Sequence, residues 1–108
     1  MYSDAIECMN NGEYVDAKIY WEALNDRNNT YGHKIVVCAA CINLQSEAKK
    51  LIAAERFTKA IERYQAILSK NPSDRNARNQ IDRCKRLRAE YLENNKILTY
   101  TNSTYGCT

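Results

Sequence analysis

The first candidates for chemistry in this sequence are two cysteines separated by two residues, Cys38 and Cys41. A Cys-x-x-Cys pair is typical of thiol–disulfide exchange when it begins a helix beside a β-strand, and of zinc binding when a second ligand pair accompanies it. Neither context is present, because the pair lies inside a run with helical periodicity and His33 is the one histidine of the chain. We therefore interpret both cysteines as small buried core residues, and we expect no metal and no cofactor.

The common catalytic motifs are missing from the sequence. It contains no glycine-rich phosphate loop and no serine-centred nucleophile elbow. Its carboxylates occur at spacings that ion pairs between residues i and i+4 of a helix explain. A single histidine is a poor basis for general acid–base catalysis. We therefore expect a protein that is not an enzyme and has no catalytic residues.

Charge is distributed unevenly along the chain. The net charge is +3, yet carboxylates outnumber basic residues in positions 1–47, whereas the rest of the chain is strongly basic. The basic excess comprises Arg75, Arg78, Arg83, Lys85, Arg86 and Arg88. Such a surface favours an acidic partner. We do not expect nucleic acid as the main partner, because Tyr91 is the one aromatic residue that could stack bases in this segment.

The elements that must position these charges are helices. Three glycines and one proline in 108 residues are typical of an all-α protein. Between Arg56 and Pro72 the apolar residues recur every three or four positions, which predicts one buried helical face. Ala60 lies in the middle of that face, where a small residue allows a neighbouring helix to approach closely, and Pro72 ends the helix.

The same pattern occurs earlier in the chain, displaced by 43 positions. The earlier residues Tyr14, Ala17, Trp21, Ala23 and Leu24 match the later residues Phe57, Ala60, Tyr64, Ala66 and Ile67. A helical hairpin that repeats with a period of roughly 20–50 residues is typical of an array in which each unit buries its apolar face against the next. The sequence therefore predicts two such units.

These residues resemble the tetratricopeptide repeat, a family of stacked helical hairpins. The matching residues are Ala5, Tyr14, Ala17, Trp21 and Leu24 in unit one, and Ala48, Leu51, Phe57, Ala60, Tyr64, Ile67 and Pro72 in unit two. The resemblance implies antiparallel helical hairpins stacked as a short right-handed solenoid of about five helices. The implied core consists of Ala17, Trp21, Leu24, Phe57, Ala60, Tyr64 and Ile67. The period is longer than the ~34 residues usual for the family, and Glu55 stands at the turn position that Gly12 occupies in unit one.

The boundaries follow from the same patterns. We expect a repeat domain over residues 1–94, with unit one at about 1–30, a first helix of unit two at 31–54, its second helix at 55–71, a capping helix at 74–94 and a flexible tail at 95–108. The continuous apolar phase of residues 31–54 favours one long helix, although Ser46 could begin a second. Ser73 is the predicted N-cap of the last helix.

The resemblance also implies a function. Stacked hairpins form a concave groove lined by the first helix of each unit, and the implied groove positions are Tyr2, Ile6, Gln45, Lys49, Asn79 and Arg83, with Arg86 at the rim. Amide and cationic side chains suit an acidic peptide segment or a chain-end carboxylate. We therefore expect a non-catalytic protein–protein interaction module that binds a peptide or helical segment of a partner. Its expected partner-binding residues are Gln45, Lys49, Asn79, Arg83 and Arg86.

Two alternatives stay open at this point. The chain could associate with itself as a structural scaffold, or be a fragment of a longer repeat array. The basic last helix could instead bind nucleic acid. We expect neither a membrane span, which requires an apolar run of ~20 residues, nor a secretory signal. Five cysteines without an export signal then favour the cytoplasm.

Overall fold

The computed structural model describes the backbone of residues 1–106 and the side chains of residues 1–94. Its helices are α1 (Tyr2–Asn10), α2 (Tyr14–Asn28), α3 (Gly32–Ala53), α4 (Phe57–Lys70) and α5 (Arg75–Gly106). No strand occurs in the described residues, so the prediction of an all-α protein with five helices is confirmed. Each helix packs mainly against the one before it and the one after it. The arrangement of the hairpins as a right-handed solenoid stays a prediction.

The two long helices differ in how closely they match the sequence-based boundaries. Helix α3 is continuous from Gly32 to Ala53, as the unbroken apolar phase indicates. Helix α5 continues beyond Asn94, where the sequence placed its end, to Gly106. No proline or glycine separates Arg75 from Gly106, so no residue in this segment breaks the helix. Residues 107 and 108 lie outside the described part, and the predicted mobility of segment 95–108 stays a prediction.

The turn that ends α1 is a Schellman motif. Gly12 has a left-handed backbone conformation with φ 73°. Its amide donates to the carbonyl of Met9 at 3.2 Å, and the amide of Glu13 donates to the carbonyl of Cys8 at 2.8 Å. These two hydrogen bonds satisfy carbonyls that the end of the helix would otherwise leave unpaired.

The turn that ends α3 has the same structure 43 residues later. Glu55 takes the left-handed position with φ 59°, although it is not a glycine. Its amide donates to the carbonyl of Ile52 at 2.9 Å, and the amide of Arg56 donates to the carbonyl of Leu51 at 2.8 Å. The repeat detected in the sequence is therefore present in the backbone.

The core lies where the hairpins meet. Ala17 and Ala60 are both fully buried, so no side chain keeps the neighbouring helices apart at these points. Of the remaining residues expected in the core, Trp21, Phe57, Tyr64 and Ile67 are buried, whereas Leu24 is partly buried and packs against them. Complete burial of an aliphatic side chain such as Ile67 contributes about 1.5–3 kcal/mol.

An aromatic cluster packs the residue that precedes α3 against α2. The ring of Tyr31 stacks on Trp21 with the centroids 5.3 Å apart, and the ring of Tyr2 meets Trp21 edge-on at 5.5 Å. The backbone amide of Tyr31 donates to Oδ1 of Asn25 at 2.8 Å. Tyr2, which the resemblance placed in a groove, therefore packs on Trp21 instead.

The N-cap of α5 is Asp74. Its Oδ1 accepts the backbone N–H of Ala77 at 2.9 Å, which is the usual capping bond, and the residue is fully buried. Ser73 is exposed, so its assignment as the N-cap was wrong by one position. Asp74 is held in the cap position because Tyr14, which lies 60 residues earlier in the chain, donates a hydrogen bond to its second carboxylate oxygen.

Candidate functional site

A groove of about 580 Å³ lies between the turn at Gly12, the second half of α3 and the first half of α5. Amide and cationic side chains predominate in its lining, and Glu13 is the one carboxylate among them. The lining residues are Asn11, Gly12, Glu13, Gln45, Lys49, Ile52, Ala53, Tyr64, Asn76, Gln80 and Arg83. We call this feature the central groove.

One wall of the central groove is a face of α3. Gln45, Lys49 and Ile52 lie four and three residues apart, which places them on one side of the helix. The side-chain amide of Gln45 donates to the backbone carbonyl of Gly12 at 2.7 Å and so joins the helix to the turn. Lys49 is exposed and makes no ion pair within the described residues. Its ammonium group is therefore available to a ligand.

The second wall comes from α5. Asn76, Gln80 and Arg83 again follow helical spacing and lie on one side of the helix. A guanidinium nitrogen of Arg83 donates to Oε1 of Gln80 at 3.3 Å, a long contact that leaves most of the guanidinium donors exposed. The central groove therefore receives one cation from each of two helices.

The structure brings together three of the five expected partner-binding residues. Gln45, Lys49 and Arg83 line the central groove, whereas Asn79 and Arg86 are exposed and lie outside its lining. On α5, Asn76 and Gln80 line the central groove in place of the expected residue Asn79. Ile6 packs against the core and does not line the groove.

The mismatch concerns one side of α5. Asn76, Gln80 and Arg83 lie on one side of the helix at spacings of four and three residues. Asn79 precedes Gln80 by one residue, so its side chain projects about 100° away from that side around the helix axis.

A buried polar cluster fixes α5 against unit one. The hydroxyl of Tyr14 donates to Oδ2 of Asp74 at 2.5 Å and accepts from the side-chain amide of Asn71 at 3.0 Å. The same amide donates to the backbone carbonyl of Met9 at 2.9 Å. Burial, and then the hydrogen bond to Asp74, raise the pKa of Tyr14 well above its usual range, so the hydroxyl stays protonated.

Two further contacts set the distance between α5 and the first turn. A guanidinium nitrogen of Arg75 donates to Oε1 of Glu7 at 3.1 Å and to Oδ1 of Asn11 at 2.7 Å. A Cβ atom on Gly12 would lie 2.9 Å from Cβ of Asn76. The start of α5 therefore lies directly against the turn, which fixes the width of the central groove.

This cluster was not predicted, although the sequence contains one signal for it. Tyr14 and Phe57 occupy equivalent positions in the two units and differ only by a hydroxyl group. A buried tyrosine hydroxyl needs a hydrogen-bonding partner, whereas a phenylalanine needs none. The hydroxyl at Tyr14 therefore indicated a polar contact in unit one that unit two lacks.

The Cys-x-x-Cys pair belongs to the core. Cys38 and Cys41 are fully buried, and neither forms a disulfide. Burial, with a smaller contribution from Cys41, raises the pKa of Cys38 to about 11, and burial likewise raises the pKa of Cys41. Both thiols are therefore protonated at neutral pH and are poor nucleophiles. Within residues 1–94, no group of three or more His, Cys, Asp and Glu residues is arranged to hold a metal ion.

Two general findings complete the description of the site. Within the described helices, none combines the length and the apolar character needed to cross a bilayer. Comparison of the chain with protein-family models, with curated proteins and with solved structures gives no match. The geometry and charge of the central groove are therefore the features from which a function can be inferred.

Proposed function

We propose that this protein is a non-catalytic interaction module that binds an acidic, extended segment of another protein in the central groove. The observation that carries this proposal is the pair of exposed cations, Lys49 on α3 and Arg83 on α5, that line one groove. Cations held on two helices can pair with carboxylates at two points along a peptide. Each exposed pair contributes about 1 kcal/mol or less, so micromolar affinity is the expected range.

The amide side chains of the groove favour an extended backbone as the ligand. Asn76 and Gln80 carry both donors and acceptors, and a peptide in an extended conformation presents N–H and C=O groups that can use both. A peptide in a helix has already used most of these groups internally. The amides therefore add hydrogen bonds that a helical ligand would not receive.

The resemblance to the tetratricopeptide repeat adds support from the sequence. That resemblance implies a concave surface lined by the first helix of each unit, and α3 and α5 are the helices it assigns to that surface. We also propose that the helical hairpins stack in a right-handed sense and that the protein acts as a scaffold for its partner. Unit one contributes only its turn to the groove lining, so the proposed binding surface is short.

A charge-reversal experiment with a matched control tests this proposal. The probe is a fluorescein-labelled decapeptide that is rich in Asp and Glu and adopts an extended conformation. Its binding is measured by fluorescence anisotropy. We expect Lys49→Glu with Arg83→Glu to weaken binding by at least about tenfold, because each pair changes from attraction to repulsion. The control, Lys50→Glu with Arg86→Glu, changes the net charge equally at exposed positions outside the groove.

The control separates groove binding from general attraction to a basic protein. We expect it to weaken binding by less than about threefold, through long-range electrostatics alone. Equal losses in the two double variants would contradict the groove as the binding site. Helicity and thermal melting should be unchanged in both, since all four side chains are exposed.

A further inference from the structure

The repeat exposes two aliphatic side chains in unit one that the fold does not require. Val15 and Ile19 lie one turn apart on α2, and each is 60% exposed. Their counterparts in unit two are Thr58 and Glu62, which are polar and exposed. Since the same helix position is polar in the second unit, the aliphatic residues of unit one are not needed for folding.

This aliphatic pair is flanked by carboxylates. Glu13 and Asp16 are exposed beside it, and neither makes an ion pair within the described residues. Their negative field is felt locally, because after burial they are the next largest causes that raise the pKa of Cys8. We call Glu13, Val15, Asp16 and Ile19 the α2 face. Its centre is apolar and its surroundings are net acidic, because the one neighbouring cation, Lys18, is paired with Glu22 at 3.2 Å.

Unit two has a complementary anomaly between the start of α4 and α5. A pocket of about 440 Å³ is lined by Phe57, Tyr91 and Leu92, of which Tyr91 is 40% and Leu92 is 58% exposed. The ring of Tyr91 packs on Phe57 with the centroids 6.2 Å apart. The residues 43 positions before Tyr91 and Leu92 lie on α3 and are Ala48, which is buried, and the groove residue Lys49. We call this feature the end pocket.

The rim of the end pocket is basic. Arg56, Lys59 and Arg88 line it together with Glu55 and Thr58, so the cations outnumber the single carboxylate. The contrast with unit one is direct at Lys59, because the equivalent residue there is Asp16 of the α2 face. The α2 face and the end pocket are therefore opposite in charge and alike in having an apolar centre.

The surface of unit one that corresponds to the end pocket is already occupied. The start of α5 lies against Gly12, and the loop before it binds Tyr14. Glu55 is exposed, so no segment of the described chain lies against this turn as α5 lies against Gly12, and the ring of Phe57 is covered by Tyr91 alone among the pocket's aromatic residues. Unit two therefore presents an open docking position that unit one shows to be able to receive a protein segment.

We propose that the α2 face of one copy of this protein docks in the end pocket of a second copy. Val15 and Ile19 contact Tyr91 and Leu92, and the carboxylates beside them meet the basic rim. The contact joins two different surfaces, so each added copy still carries one unused face and one unused pocket. Association therefore proceeds head to tail, into short chains or closed rings, and it weakens with salt because its rim is ionic.

Replacing Ile19 and Leu92 by the residues that stand 43 positions away in the sequence, Glu62 and Lys49, tests the proposal. Ile19→Glu destroys the α2 face, and Leu92→Lys destroys the end pocket, while both positions are exposed enough to leave folding unchanged. Sedimentation velocity of the full chain over a concentration series measures association. We expect each variant alone to associate at least about tenfold more weakly than the parent protein. Val36→Thr is the control, because this exposed residue of α3 lines neither surface.

Mixing the two variants provides the decisive result. An equimolar mixture retains one intact face and one intact pocket, so we expect it to form a one-to-one dimer that grows no further. The proposal would be overturned if the parent protein stayed monomeric up to about 1 mM, because a dissociation constant above that value is too weak for a specific contact. A Leu92→Lys variant that associates like the parent, or a mixture without the dimer, would also overturn it. Lys49→Glu with Arg83→Glu should associate normally, which separates this contact from peptide binding in the central groove.

Discussion

The two helix-ending turns of this protein share one backbone structure and differ in sequence. Both are Schellman motifs with a left-handed residue at the same position, which is Gly12 in unit one and Glu55 in unit two. At Gly12 the start of α5 approaches so closely that a Cβ would meet Asn76 at 2.9 Å. Glu55 is exposed and borders the end pocket. The comparison shows that the glycine is required by a neighbouring segment more than by the left-handed conformation itself.

The residues that follow the two turns also differ because only one of them has a neighbouring polar segment. Tyr14 binds Asp74 through its hydroxyl, whereas Phe57 has no such partner and packs on Tyr91. The units agree where each builds its own hairpin and differ where unit one meets the start of α5, whereas unit two packs α4 along that helix. Differences between equivalent positions therefore locate the contacts that unit one makes and unit two lacks.

The largest expected effect comes from Gly12→Ala. We expect a loss of about 3 kcal/mol in the free energy of unfolding, because a left-handed alanine costs about 1 kcal/mol and the displacement of α5 adds about 2. Chemical denaturation followed by circular dichroism measures it. The matched control, Glu55→Ala, keeps a non-glycine residue in the left-handed position and should change stability by less than about 0.5 kcal/mol. Similar losses at both turns would show that the close approach to Asn76 contributes nothing.

The next effect comes from exchanging the residues after the turns. Tyr14→Phe leaves a buried oxygen of Asp74 and a donor of Asn71 without their shared partner, which costs about 1–3 kcal/mol. Phe57→Tyr adds a hydroxyl where the end pocket is open to solvent, so we expect a change below about 0.5 kcal/mol. Thermal or chemical unfolding of the two variants measures the asymmetry. A Tyr14→Phe variant as stable as the parent would contradict the role of the buried cluster.

The smallest effect is a gain in stability. Glu55→Gly relieves the left-handed conformation of a side-chain-bearing residue and should raise the free energy of unfolding by up to about 1 kcal/mol. The neighbouring change Arg56→Gly is the control, since φ of Arg56 is −97° and a glycine there adds only freedom to the unfolded chain. If Glu55→Gly were as harmful as the control, the turn would not have the backbone conformation described here.

The sequence predicted what depends on local periodicity. The small residues Ala17 and Ala60, the displacement between the units and the continuity of α3 all follow from spacing within one or two helices. The groove side of α5 followed only in part, because Arg83 lines the groove but Asn76 and Gln80 do so in place of Asn79. Periodicity identifies the buried face of a helix, but it does not determine which exposed side faces a neighbouring turn.

The buried cluster was missed for a different reason. Asp74 caps α5, and its second oxygen is bound by a residue 60 positions earlier. Ser73 satisfied the local rule for an N-cap equally well. Tyr14 decides which of the two residues caps α5. It lies too far away in the sequence for a local rule at the helix start to include it. In this chain the non-local contacts therefore decide both the cap and the width of the central groove.

The central claim is that ligand binding belongs to the central groove and not to the end pocket. Titration of isotope-labelled protein with the acidic decapeptide, followed by amide chemical shifts, tests this directly. We expect the largest shifts at Gly12, Lys49, Gln80 and Arg83. Shifts confined to Lys59, Arg88 and Leu92 would contradict this claim.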